Sequence, residues 1–330
     1  MSCSAGILLL SLQEGIIMKK KLIFSAAALL AASMLFGFDS AETADSLLQK
    51  MNEASKNANG VSMHMDMNID AGLSISSADS ETPSTIGLGL TSGSDIVAKM
   101  DPFGMTMDGD INLNMLGQGE TIKMQMYMVS DEEGKMDMYL YQENSTSEES
   151  GWTHQQQNLG INIKELQEAS ASIDYSEWGI NWVLDPAPAD VNGTECYYLS
   201  TVIDAETLKT IMSKTEELAG ESITGDENVD MVLSMLDGLK LKIEYYIDTT
   251  TYLPAKLHMD LNDTDLSALD QYAAMALGEM GEGSEIHIIL NDFSVDADTN
   301  YGDVADITVP QEALDTDVTD LSEAIPEIAG

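Results

Sequence analysis

The sequence has no arginine. Its 14 cationic side chains, all lysines, face 57 carboxylates, so the net charge is 14 − 57 = −43 over 330 residues. Without arginine there is no bidentate fork for phosphate or carboxylate, which argues against enzymes acting on phosphates. So few cations argue against nucleic acid, which is bound by lysine and arginine displacing counterions, and against anionic membrane surfaces as direct partners. Cysteine is nearly absent. Cys3 lies in the leader, so the body of the chain holds only Cys196. That excludes an intramolecular disulfide, leaves stability to the core, and makes Cys196 a buried structural thiol. Histidine is scarce too: none of His64, His154, His258 and His287 belongs to an H-E-x-x-H motif, and there is no G-x-S-x-G elbow. Among so many acids, close carboxylate pairs are guaranteed and carry no catalytic signal. The chain reads as non-enzymatic, with no cofactor and no metal. Its 44% hydrophobic residues mark a folded rather than a disordered protein.

The N-terminus reads as an export signal. Met18-Lys19-Lys20-Lys21 precedes an apolar run from Leu22 to Phe38, interrupted by Ser25, Ser33 and Gly37 and ended by Asp39. A basic start and a short apolar stretch mark a secretory signal; a membrane span needs about 20 apolar residues. Residues 1–17 read as a non-native upstream extension, with Met18 as the true start of a bacterial gene, and 18–44 as the signal peptide. Leu35-Phe36-Gly37-Phe38 has the form of a lipoprotein signal with Phe38 in place of the lipidated cysteine. The expected location is extracytoplasmic, secreted or at the cell surface, without a thiol for lipid anchoring.

Methionine is plentiful, at 22 residues, and much of it alternates with polar residues. Met63, Met65 and Met67 alternate with His64 and Asp66; Met105 and Met107 with Thr106 and Asp108; Met124, Met126 and Met128 with Gln125 and Tyr127; Met136 and Met138 with Asp137. Period two predicts half-buried strands with one dry face. The same alternation places Leu241, Ile243 and Tyr245, then Leu257 and Met259, on dry faces. Strands are also predicted at 178–184, 196–203 and 286–290. Helical spacing predicts helices at 44–57, 163–171, 205–219 (carrying Leu208 and Met212), 229–236 and 266–277 (carrying Tyr272). Segments 76–85 and 142–151 read as surface loops. Residues 45–313 read as one domain and 314–330 as an acidic flexible tail.

The order of these elements, with Val191-Asn192-Gly193-Thr194-Glu195-Cys196-Tyr197-Tyr198, the segment Tyr245-Tyr246-Ile247-Asp248-Thr249-Thr250-Thr251-Tyr252-Leu253-Pro254-Ala255-Lys256 and the closing Asp306-Ile307-Thr308-Val309-Pro310, resembles the uncharacterised secreted lipoproteins of Gram-positive bacteria with a LolA/LppX-like fold. The resemblance implies an α+β fold: a large curved antiparallel sheet, an incomplete β-barrel, with helices on its concave face around an apolar cavity for lipid. Independently, the supply of dry faces rich in methionine, a flexible filler of variable surfaces, points to a binding protein for a lipid or other hydrophobic molecule. The expected lining is Met63, Met65, Met67, Met105, Met107, Met124, Met126, Met128, Met136, Met138, Leu208, Met212, Leu241, Ile243, Tyr245, Leu257, Met259 and Tyr272.

Other readings compete. The same surfaces could serve a cell-envelope interaction or sensor module whose partner is another envelope protein. Met63-His64-Met65-Asp66-Met67 suggests copper, but on a strand His64 points away from the methionines. Asp296-x-Asp298-x-Asn300 and Asp108-x-Asp110-x-Asn112 suggest calcium, but lack the glycine and glutamate of a loop site, so a solvated acidic turn is the expected reading of the former. Tyr197, Tyr245, Trp178 and Trp182 read as core or rim aromatics.

Overall fold

The computed structural model describes residues 43–76, 83–115, 117–131, 135–145, 150–158, 178–219, 238–261, 264–270 and 285–318. The leader and the helices expected at 163–171 and 229–236 lie outside these residues. Of the helix expected at 266–277, residues 267–270 are described and helical.

The alternating segments all enter one antiparallel sheet. Its strands are β1 (Gly60–Ser76), β2 (Ser84–Met100), β3 (Phe103–Met115), β4 (Gln118–Ser130), β5 (Lys135–Asn144), β6 (Ser150–Asn158), β7 (Val183–Leu184), β8 (Ala189–Val191), β9 (Thr194–Asp204), β10 (Lys240–Asp248), β11 (Pro254–Asp260) and β12 (Glu285–Gly302). Their order is β6-β5-β4-β3-β2-β1-β12-β11-β10-β9-β7, with β8 paired to β9. β1 and β12 pair from Gly60–Gly302 to Ser76–Glu285 and join the two halves of the sheet. The sheet is not closed into a barrel: β6 and β7 stand at its two ends.

Helix α1 (Ala44–Lys56) starts where Thr43 Oγ accepts the Ser46 N–H. Its Leu47, Leu48 and Met51 bury against Leu199, Ile203, Ile243, Tyr245, Ile247, Leu257 and Ala297. Each side chain so buried is worth about 1.5–3 kcal/mol. Helix α2 (Ala205–Ala219) follows β9 directly. Asp204 Oδ1 accepts the Thr207 N–H at 2.8 Å, and Leu208 and Ile211 join the same core. The face under α1 is the inner face of the sheet.

Three strands exceed their sequence signals. β2 was not expected at all: Ile86, Leu88 and Leu90 alternate as a strand should, but Gly87, Gly89 and Gly93 weaken the pattern. β6 is a polar edge strand without an apolar stripe. β12 runs through Asp296 and Asp298, whose acidity mimics a loop; both are strand residues, not the expected turn. Of the strand expected at 178–184, only Val183–Leu184 pairs, because Trp178 and Gly179 lie in a turn.

Two of the three segments that carry the family resemblance centre on turns between strands. Asn192 and Gly193 both have positive φ, 53° and 86°, the two-residue connection that suits the β8–β9 hairpin. After β10, Asp248 Oδ1 accepts the N–H groups of Thr250 (2.6 Å) and Thr251 (3.2 Å). Tyr252 at φ 59° stacks on Tyr197, with the Lys50 ammonium over its ring.

Past β12 the chain crosses the outer face as a strap. Val304 covers Gly60, Lys99 pairs with Asp306, and Ile307 covers Gly104. Helix α3 (Gln311–Leu314) then packs on β5 and β6 with Ala313 fully buried. His154 Nδ1 lies 3.3 Å from the Thr316 carbonyl, and Val318 bridges His154. Residues 314–318 are therefore packed; 319–330 lie outside the described residues.

Candidate functional site

The register assembles the methionines. Inner-face rows run Val61–Ala98–Met105–Met128–Met138 and Met63–Ile96–Met107–Met126–Leu140 across β1 to β5, with Met65–Ser94–Gly109–Met124 beside them. Met136 is two residues before Met138 and shares its face. Among the methionines of these rows Met126 and Met128 are buried and the others half-buried; Val61, Ala98 and Ser94 are buried beside them. Toward the far end of the sheet, paired Leu88 and Met115 remain 42% and 46% exposed, forming an apolar lip.

The other expected lining residues divide differently. Ile243, Tyr245 and Leu257 are buried under α1, with Met63, Met65, Leu208, Leu241 and Met259 packed against them. This half of the inner face is filled core, because α1 occupies the place assigned to a ligand. Met67 lies on the same face beside Val295. Met212 is half-buried on α2. Tyr272 lies outside the described residues. Trp182 and Tyr197 join the core, Trp182 tilted 5.3 Å from Tyr245. Cys196 is fully buried; burial, then the charges of Asp248 and Asp190, pushes its thiol up.

Helix α1 holds polar groups that sequence reasoning missed. Ser46 and Asn52 are 1% and 2% exposed. Ser46 Oγ, Gln49 Oε1 and both amide atoms of Asn52 are buried and find no hydrogen-bond partner among the described residues. Spaced three apart, these residues align along one edge of the helix. Ser55, next on that edge, sits beside the Tyr301 phenol, which burial pushes up to about 12. A buried polar group left unpaired costs about 1–3 kcal/mol. The spacing was visible in sequence, but a polar edge on an amphipathic helix ordinarily signals solvent, and only the fold buries it.

The outer face is polar. Glu244 is buried; burial acts to raise its carboxyl, but hydrogen bonds from Lys242 and Tyr198 hold it below the usual range. Tyr198 is pushed up to about 12 by burial and then by that bond. Asp296 accepts from Lys256 at 2.7 Å and lies 3.1 Å from His258 Nδ1. His64 pairs with Asp95 at 2.8 Å on the side opposite Met63 and Met65, so a copper ion could not collect both. Among the described residues no group of three or more histidine, cysteine or acidic side chains is placed to hold a metal. Asp108 and Asp110 instead accept from Gln125 and Asn112.

Two hollows open on this outer face, of about 390 and 740 Å³, where Gly87, Gly89 and Gly93 leave the floor bare beside Asp66, Asn68, Asp70 and Asp110. Of the expected lining residues, Met67 alone borders either one. No helix among the described residues is long and apolar enough to cross a membrane.

A protein-family model matches residues 43–318, from the N-cap of α1 to the end of the strap. The chain belongs to the Family of unknown function (DUF6612). The uncharacterised family expected from the turn motifs is thus the kind found. No curated protein matches the chain. Among solved structures, this DUF6612 chain is similar to lipoprotein LppX of Mycobacterium tuberculosis, at 10% identity over 78% of this chain and 94% of that one, TM-score 0.31. It is also similar to LprF of Mycobacterium bovis, at 12% identity over 81% and 95%, TM-score 0.35. A third likeness is a beta-barrel-like protein of domain of unknown function DUF1849 from Brucella abortus, at 11% identity over 73% and 98%, TM-score 0.23.

Proposed function

We propose that this protein is a non-enzymatic, extracytoplasmic carrier that holds a lipid or other hydrophobic molecule against the methionine rows of β3, β4 and β5. The observation that carries this reading is the continuous field of Met105, Met107, Met124, Met126, Met128, Met136 and Met138 on one face of adjacent strands. Thioether side chains adapt to ligands of varied shape. The exposed Leu88–Met115 lip extends the apolar surface to solvent and supplies an entrance. Binding would draw on apolar area at about 25 cal/mol per Å², less the cost of ordering the ligand. The site thereby shrinks from the whole inner face to its β3–β5 half, since α1 fills the remainder.

The test is native mass spectrometry and organic extraction of the protein purified from its own host, with uptake of a fluorescent fatty acid measured in parallel. Co-purified lipid, and uptake that falls when Met126 and Met128 are both replaced by Glu in a variant that still folds, are the expected results. No lipid and no uptake would end the proposal.

A further inference from the structure

We infer that the Ser46–Gln49–Asn52 edge of α1 is a polar subsite for the uncharged head of the bound molecule, a group bearing hydroxyls and ester carbonyls as in an acylglycerol. This rests on the apolar-ligand reading above and names the chemical class of that ligand. The starting observation is the burial of Ser46 and Asn52 together with the unpaired state of their side-chain atoms and of Gln49 Oε1. Buried polar atoms in folded proteins are almost always hydrogen-bonded. A helix packing only against apolar neighbours would gain by carrying Ala or Leu at these positions. The edge offers a hydroxyl, a carbonyl oxygen and a whole carboxamide, so it can both donate and accept. A ligand group that matches it must do the same, as hydroxyl and ester groups do.

Charge narrows the class further. The edge is neutral, and Asp45 and Glu53 stand four residues on either side of Gln49, one turn away in each direction. The nearest cation in sequence, Lys50, is engaged over the Tyr252 ring at 4.7 Å. With no arginine and a net charge of −43, a carboxylate or phosphate brought here would meet repulsion and no counter-charge. The same helix packs Leu47, Leu48 and Met51 into the core that takes up Met63 and Met65. Met63 and Met65 continue across the sheet to Met107, Met126 and Met124. The polar edge thus belongs to the helix that packs at the β1 end of these rows.

The test is displacement of the neutral fluorescent probe N-phenyl-1-naphthylamine from the full chain by dioleoylglycerol, dioleoyl phosphatidic acid and octadecane. Dioleoylglycerol is expected to displace at concentrations about tenfold lower than either of the others, the equivalent of one well-made hydrogen bond. In the Ser46→Ala/Asn52→Leu variant the preference over octadecane should vanish while octadecane itself displaces as before. Equal displacement by all three, a preference for phosphatidic acid, or a preference that survives the substitutions would overturn the inference while leaving the carrier reading standing. No uptake of the probe and no binding of any lipid would overturn both. Should the double variant fail to fold, the ranking of the three ligands on the unmodified chain still decides.

Discussion

Gly109 and Gly87 show how differently one residue type is used in this sheet. A Cβ on Gly109 would stand 2.5 Å from both the Gly93 carbonyl oxygen and Ser94 Oγ. The backbone oxygen cannot move without disturbing the β2–β3 ladder, so Gly109→Ala should cost about 1–3 kcal/mol. Gly87 has open space around its missing Cβ and no positive φ. Gly87→Ala should stay within about 0.5 kcal/mol of neutral. Urea denaturation of the two variants checks the contrast; equal losses would show that the close approach at Gly109 carries no cost. The composition counts these glycines alike, and only the pairing of Ser94 with Gly109 tells them apart.

Among the elements, the strap has the clearest separable role. It crosses from β12 to β6 through Val304, Asp306, Ile307 and Ala313, touching strands distant from one another in sequence. The α1 core, by contrast, lies under β9 to β12 and β1. Putting a charge at the fully buried Ala313 should lift α3 from β5 and β6. The expected result for Ala313→Glu is hydrogen exchange at least about tenfold faster in β5 and β6, with little change in β9 and β10. Uniform acceleration over the whole sheet would instead make the strap part of one cooperative unit.

For the whole molecule, charge governs stability. At neutral pH the net charge of −43 opposes compaction. The pH dependence has two arms. His64, raised chiefly by its hydrogen bond to Asp95, contributes stability that is fully present below its ordinary value of 6.5 and is lost as pH rises through the raised value. Because His64 is half exposed, that contribution is small, and carboxylate repulsion is the larger alkaline cost. On the acid side, burial raises Asp137, Glu244 and Asp296, but their hydrogen bonds win and hold them low. Their stabilisation is present above the ordinary 3.8 and 4.5 and is lost as pH falls through the lowered values. The thermal midpoint should therefore rise from pH 8 to roughly pH 5 and fall below about pH 4. It should also rise at pH 7.5 when salt is added, since screening weakens the repulsion. Calorimetry across pH and salt checks both arms; a midpoint that falls with salt would place the ion pairs above the repulsion.

Local pattern was enough for the dry face of each methionine strand and for α1 and α2. In each, the period acts within a dozen residues, and side chains three, four or two apart must share a face whatever lies beyond; the cap of α1 is Thr43, one turn ahead of the apolar stripe. β2 and the part of β12 beyond residue 290 escaped because glycine and aspartate on their outer positions carry loop chemistry, and the neighbours that make them strands are far away in the chain. Which half of the inner face is filled by α1, that Ser46 and Asn52 are buried rather than wet, and that residues 303–318 strap the outer face were decided by tertiary structure alone. Each depends on contacts between segments up to about 250 residues apart, whose cost in chain entropy is met only by the whole packed sheet.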